Sequence, residues 1–339
     1  MGGNLFKLGR IPRERYLEIE AEVRQTLDQI APGNYRIPRY YNSKADFGDL
    51  DVVLSSGAFK SWDAFKELLV ERFELRRYQS TGPVFSTVYR DFQVDYFVRD
   101  PQYFLTTYNF LSFNDIGNLL GKMFRRFNLK YGERGLAYVF RRASQESYKR
   151  DLEVCRDPHR IFAFLELDGA VWEEGFEDLE AMFDWVLTSP YFSARPYLDP
   201  SPATRKRIRE RTTLQRFVAY LEERGHYIYS DTPSGTPTPK PRISAKAHPG
   251  NKDDYLPRIA AAFPEAGLLE AIAREKRLEA EDLELAEKLN GRLVAEWTGL
   301  AGKDLGILMR RIHETWDRED LLAMSAAKIR EEVLELNRG

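Results

Sequence analysis

Between Phe47 and Leu54 the chain reads Phe-Gly-Asp-Leu-Asp-Val-Val-Leu, with two acids two residues apart at the start of an apolar run. No other stretch restricts the fold as much. Side chains alternate along a strand, so Asp49 and Asp51 share one face of a sheet. A third acid, Asp95, is embedded in a second apolar strand, Phe-Gln-Val-Asp-Tyr-Phe-Val. A carboxylate in such a run is costly to bury unless something cationic offsets it. Two divalent ions held about 3.5–4 Å apart by carboxylates serve in-line phosphoryl transfer, because together they stabilise the attacking and leaving oxygens. Oxygen donors with no His or Cys nearby favour magnesium or manganese over zinc. The same residues also admit a plainer reading, in which Asp49 and Asp51 are solvated at a strand end and Asp95 pairs with an arginine.

Around these acids the periodicity predicts a mixed α/β unit. Tyr16, Ile19, Val23, Leu27 and Ile30 recur at helical spacing over 12–30, with Pro12 in the first turn. Strand-like runs follow at about 35–41 and 48–54, then a helix capped by Ser61. Residues 76–100 alternate as strands around a turn at Ser80-Thr81-Gly82, a helix is expected over 114–128, and 136–142 reads as one further strand. From 146 onward strand signals nearly vanish and amphipathic segments dominate. Residues 230–254 are rich in Pro, Ser, Thr and Lys, the composition of a mobile basic loop or linker.

Composition removes several classes of function. Of 339 residues 43% are hydrophobic, enough for a sizeable core and about two domains. No apolar run is long enough to span a bilayer, and Arg and Glu interrupt the N-terminus before a signal-peptide core forms, so a cytoplasmic protein without a membrane partner is expected. The single Cys155 makes no internal disulfide, and His159, His226, His248 and His313 lack zinc-ligand spacing. The formal charge of −2 means that any nucleic-acid affinity rests on local clusters.

Gly-Asp-Leu-Asp-Val-Val-Leu, then Val-Asp-Tyr-Phe, Gln-Tyr-Phe and Asp-Ile-Gly-Asn, in that order, resemble the palm of family X DNA polymerases in the polymerase beta-like nucleotidyltransferase superfamily. The resemblance spans roughly residues 36–165. It implies an α+β fold, a palm with a mixed sheet and helices followed by a mostly α-helical C-terminal region. With the periodicity and composition along the chain, it gives as expected domains a nucleotidyltransferase catalytic domain at 1–145, a helical domain at 146–229, the flexible basic loop or linker at 230–254 and a C-terminal helical domain at 255–339. By the resemblance, Asp49 and Asp51 would bind two magnesium or manganese ions, and Asp95 would bind the catalytic one and help activate the attacking hydroxyl. Asp115 and Asn118 would face the incoming base and sugar, with Lys122 near the templating strand; ordinary capping at a helix start is the alternative. The family's Gly-Ser, about eleven residues before the first metal aspartate, is replaced by Pro38 and Arg39. Arg36, Arg39, Ser43 or Lys44 would then hold the triphosphate. A palm that has lost its activity is the competing reading.

Two basic clusters point to nucleic acid. Lys122, Arg125, Arg126, Lys130 and Arg134 interleave with Phe124, Phe127 and Tyr131, the two phenylalanines being spaced as core. Arg205, Lys206, Arg207, Arg209, Arg211 and Arg216 form the strongest local positive charge, against a solvated helix face as the plain reading. Lys240, Arg242, Lys246 and Lys252 extend it. Thr-Gly-Leu-Ala-Gly-Lys-Asp-Leu-Gly, with Gly302 and Gly306, resembles a short Gly-x-x-x-Gly helix start in the tail of bacterial CCA-adding enzymes; close helix packing through these glycines is the expected role. With no lyase-like domain and no helix-hairpin-helix pattern, the expected activity is metal-dependent transfer of a nucleoside monophosphate from an NTP or dNTP to a nucleic-acid 3′-hydroxyl. Template-independent addition to RNA or tRNA is favoured over DNA. The alternatives are a protein or small-molecule hydroxyl as acceptor, a template-directed family X-like DNA polymerase, and a non-catalytic nucleic-acid-binding module.

Overall fold

Tyr16, Ile19, Val23 and Leu27 fall on one face of helix α1 (Arg13–Ile30), and all four are buried. That apolar stripe docks the helix on a sheet. The structure, a computed structural model, describes residues 5–224 and 255–338. The basic segment expected at 230–254 lies outside the described residues.

In chain order the strands of the first half are β1 (Ile11–Pro12), β2 (Tyr35–Arg36), β3 (Asp46–Phe47), β4 (Leu50–Ser55), β5 (Tyr78–Thr81), β6 (Val84–Tyr89) and β7 (Phe92–Arg99). Five of them form a mixed sheet in the order β2-β4-β7-β6-β5. Its one parallel pairing is β4 with β7; the others are antiparallel. Helix α2 (Trp62–Arg72) follows β4, and Ser61 caps it as expected, accepting from the Ala64 amide at 3.3 Å. Between β6 and β7, Arg90 and Asp91 both take positive φ, +49° and +60°, the backbone that a two-residue hairpin turn demands. Leu50, Val52, Leu54, Val94 and Tyr96 join the helix α1 stripe in one buried core.

Three expectations need correction. Only Tyr35–Arg36 of the stretch 35–41 is a strand. Pro38 brings no amide donor, and the Arg39 amide goes to Ser112 Oγ instead of to a ladder. Helix α3 (Pro101–Leu111) was not anticipated. Strands also do not end before 146: β8 (Leu129–Gly132), β9 (Gly135–Arg141) and β10 (Lys149–Cys155) form a second sheet in the order β10-β9-β8. Most of β10 is exposed, so no apolar alternation marks it in the sequence.

The chain divides into two compact units, residues 1–138 with 153–266, and residues 139–152 with 267–339. The first contains the mixed sheet and a run of helices: α4 (Ile116–Phe124), α5 (Pro158–Phe164), α6 (Gly169–Glu174), α7 (Leu179–Leu187), α8 (Arg195–Leu198), α9 (Pro202–Glu210) and α10 (Thr212–Glu223). Asp157, Asp168, Asp178 and Ser201 cap α5, α6, α7 and α9 through their side chains. Buried Phe113, Phe162, Trp172, Phe176 and Trp185 pack ring against ring, and Trp172 donates its indole N–H to Asn109 Oδ1 at 3.0 Å. The second unit packs helices around Leu289, Val294, Leu308, Ile312, Leu321, Ile329 and Val333. Gly302 takes φ +56° at the start of the helix Gly302–Thr315, and no atom lies within 4 Å of a Cβ built on Gly302 or on Gly306. These glycines therefore do not serve close helix packing.

Candidate metal centre

The parallel register of β4 and β7 sets Asp51 opposite Asp95. Asp49 precedes β4 by one residue, and one carboxylate oxygen from each of the three acids lies within 4.8 Å of the others. Asp95 is fully buried, while Asp49 and Asp51 are partly exposed. Among the described residues no arginine pairs with Asp95. Gln93, two residues earlier and therefore on the same face, donates its amide to both carboxylate oxygens at 3.1 and 2.9 Å. No sequence motif marks Gln93; its period-two relation to Asp95 is the one signal of its role that the sequence carries.

Crowding three acids onto one face perturbs them. Burial, then the neighbouring Asp49 and Asp95 charges, hold the Asp51 carboxyl well above the usual carboxylate range. Burial, then Asp95, raise Asp49 too. Asp51 Oδ1 is buried and has no hydrogen-bond partner. An acceptor in that position lacks a cation or donor, and three hard oxygens converging there suit magnesium or manganese.

Lys44 is the cation nearest in kind to what the acids lack, and it does not fill the gap. Its ammonium donates to Asn114 Oδ1 at 3.0 Å and lies 4.3 Å over the Phe47 ring. Burial pushes it down to about 8, although Asp49 and Asp51 pull the other way. It is therefore within electrostatic reach of the acids while bonded elsewhere.

No protein-family model matches the sequence, and no curated protein matches it. Solved structures do. The chain is similar to polymerase beta of Leishmania infantum in a ternary P/T complex, at 15% identity and a TM-score of 0.35, over 47% of this chain and 74% of that one. The ternary gap complex of the same enzyme is similar at 17% identity and a TM-score of 0.31, over 39% of this chain and 52% of that one.

The remaining sequence-predicted residues gather at two further places. Arg39 sits 4.8 Å over the Phe113 ring, donates to the Glu173 carbonyl at 2.8 Å and faces the Glu173 carboxylate. It also lines a cavity of about 270 Å³ with Arg24, Tyr40 and Asn42; none of the three acids lines that cavity. Ser43 is exposed, and its amide donates to the Glu177 carbonyl at 2.8 Å. Arg39 and Lys44 are joined through one turn, because the Phe113 amide donates to the Arg39 carbonyl at 2.6 Å and Asn114 receives Lys44. Phe113 and Asn114 both take positive φ, +56° and +59°. Non-glycine residues adopt that backbone at a cost the surrounding contacts must cover.

At the second place α9 runs antiparallel along α4. Asp115 pairs with Arg211 at one end, and Lys122 donates to Thr204 Oγ1 at 2.9 Å at the other. Asn118 donates to Asp115 Oδ1 at 2.9 Å. Asp115 makes no side-chain cap. Lys122 also lies 5.1 Å over the Tyr197 ring. Arg125 is exposed, whereas Arg126 donates to the Tyr191 carbonyl at 2.7 Å. Lys130 is exposed on β8, and Arg205, Arg207 and Arg209 are exposed on α9. Phe124 and Phe127 are core, as their spacing predicts.

Proposed function

We propose that this protein is a divalent-metal-dependent nucleotidyltransferase that moves a nucleoside monophosphate from an NTP or dNTP to a nucleic-acid 3′-hydroxyl, without a template and with RNA or tRNA favoured. The observation that carries the reading is the carboxylate cluster: three acids within 4.8 Å, with a buried partnerless oxygen on the central one. Such a cluster is unfavourable as it stands and becomes favourable around cations. Asp49 and Asp51 are the proposed ligands of both ions, and Asp95 of one. When bound, the pair of ions neutralises charge on the attacking and leaving oxygens.

In the reaction the 3′-oxygen forms a bond to the α-phosphorus as the bond to the pyrophosphate oxygen breaks. The Gln93 amide takes one lone pair on each Asp95 oxygen and fixes the plane of that carboxylate. Asp95 is the proposed acceptor of the hydroxyl proton. Lys44 and Arg39 are the proposed triphosphate contacts, with Ser43 beside them, replacing backbone donors of a Gly-Ser turn by cationic ones. Asp115 and Asn118 offer acceptors and donors together for a base and sugar.

The test is incorporation of each labelled NTP and dNTP, with magnesium and with manganese, into tRNA lacking its 3′ end, a single-stranded oligonucleotide and a primer-template. Product that vanishes in Asp95→Asn is the expected result. Product only on the primer-template would move the reading to a templated polymerase. No product on any acceptor, with wild type and mutant alike, would overturn nucleic-acid transfer.

A further inference from the structure

The two basic clusters of the sequence, about eighty residues apart, become one surface in the fold. The Lys122–Thr204 bond and the Asp115–Arg211 pair lay α9 along α4, which brings Arg207 of α9 beside Lys122 and Arg125. The proximity has an electrostatic signature: burial, then Arg125 and Arg207, push the Lys122 ammonium down to about 8. Mutual repulsion of this kind persists only where no carboxylate interleaves. Among the described residues Arg125, Arg207 and Arg209 have no carboxylate partner, and Arg205 donates only to the Pro200 carbonyl. Lys206, the remaining cation of α9, reaches Glu210 only at 3.9 Å with both side chains largely exposed.

Sequence position alone would give Arg126 and Lys130 the same standing, and the fold separates them. Arg126 is spent on the Tyr191 carbonyl, and Lys130 is carried on β8 rather than on α4 or α9. What remains is a ridge with two flanks, Arg207 beside Lys122 and Arg125 on one and Arg205 with Arg209 on the other, since residues two apart on a helix point to opposite sides. Arg205 and Arg209 are one helical turn apart, so they present cations repeated along the helix axis by about 6 Å. Four of the five are arginines, whose planar donor forks match phosphate oxygens.

We propose that this α4–α9 ridge is a docking surface for the phosphodiester backbone of a single-stranded nucleic acid, the acceptor strand of the reaction proposed above. The identification of the strand as acceptor rests on that reading; backbone binding by the ridge does not. Arginines without carboxylate partners on both flanks of α9, with no exposed large apolar residue among them, fit a repeating anion that passes over the helix. They do not fit a lipid surface, where apolar side chains would accompany the charges.

The test is fluorescence anisotropy with a labelled single-stranded RNA and a DNA of matching sequence, without nucleotide, over a series of salt concentrations. In Arg205→Glu/Arg207→Glu/Arg209→Glu, affinity should fall at least about tenfold and the slope of log K against log salt should flatten by about 2, as expected for three lost single-strand contacts. Arg205→Lys/Arg207→Lys/Arg209→Lys should keep most of the slope. Arg292→Glu/Arg310→Glu/Arg330→Glu, with the same change in net charge but in the second unit, should keep both affinity and slope. Equal losses in the two Glu triples would overturn the ridge, as would an unchanged slope in the first, or binding to vesicles rich in anionic lipid in preference to either oligonucleotide. Asp95→Asn separates the two proposals: it should lose transfer and keep oligonucleotide binding. Retained transfer with retained oligonucleotide binding in Asp95→Asn would sink the catalytic reading and leave the ridge standing, whereas loss of binding in that variant would overturn the ridge as a site separate from the acids.

Discussion

Replacing Asp51 with Asn should stabilise the protein in the absence of divalent ions and abolish its stabilisation by them. The three carboxylates approach within 4.8 Å, and two full charges at that distance repel by about 3.5 kcal/mol at an effective dielectric of 20. The protein escapes part of this by keeping protons: Asp49 and Asp51 both titrate above their ordinary 3.8. Above that ordinary value the native state holds more protons than the unfolded chain, so stability falls as pH rises through the raised native values. An asparagine at 51 cannot ionise, and its amide can donate to a neighbouring carboxylate. Taking about 2 kcal/mol as the relief, a portion of the repulsion, the melting temperature in EDTA should rise by about 4–8 °C for a unit of this size. Magnesium or manganese at 100 times its dissociation constant should in turn stabilise wild type by about 2.7 kcal/mol, or roughly 5–10 °C. Thermal unfolding followed by circular dichroism in a mildly acidic and a mildly alkaline buffer, each with EDTA or with metal, reads all of this. Wild type should lose stability toward the alkaline buffer in EDTA and regain it with metal, while Asp51→Asn should be indifferent to metal and keep only the shallower pH dependence that Asp49 carries. A wild-type melting temperature indifferent to metal at alkaline pH, or an Asp51→Asn protein less stable than wild type in EDTA, would refute the account of the cluster as a cation site.

Two further substitutions follow from the same geometry. Gln93→Leu removes the amide that holds Asp95 in plane, and transfer in the incorporation assay should fall by about 10–100-fold with RNA binding unchanged; undiminished transfer would show that Asp95 needs no such support. Gly117→Ala places a Cβ 2.7 Å from the Phe110 carbonyl oxygen and 2.8 Å from its ring, so α4 must shift from α3 at a cost of about 1–3 kcal/mol, measurable by urea unfolding.

What the sequence revealed follows from how local its signals are. The parallel register that sets Asp95 opposite Asp51 is seen only in the fold, whereas Asp49 and Asp51 could be placed on one face because they lie in a run whose period-two pattern is self-contained. The helix over 13–30 was legible for the same reason. β10 was not, because Lys-Arg-Asp-Leu-Glu-Val-Cys exposes most of its length and owes its strand backbone to its partner in the second sheet. Arg39 was legible as an oddity, a charge where a glycine turn was expected, but its contacts with Phe113 and Glu173 depend on residues up to 134 positions away.

The face of α4 carrying Asp115, Asn118 and Lys122 makes the same point with a functional consequence. Helical spacing aligned the three residues, and helical spacing cannot say what lies against them. In the fold α9 does, through Thr204 and Arg211. A strand paired along that face would compete with α9 for both ends of it, whereas a single nucleotide beside Asp115 and Asn118 and a strand along the outer arginines of α9 would not. On the proposed reading, admitting a strand along that face would displace an ion pair and a lysine already bonded within the helical layer, whereas a nucleotide beside Asp115 and Asn118 would leave Arg205 and Arg209 on the opposite flank of α9 to meet a strand.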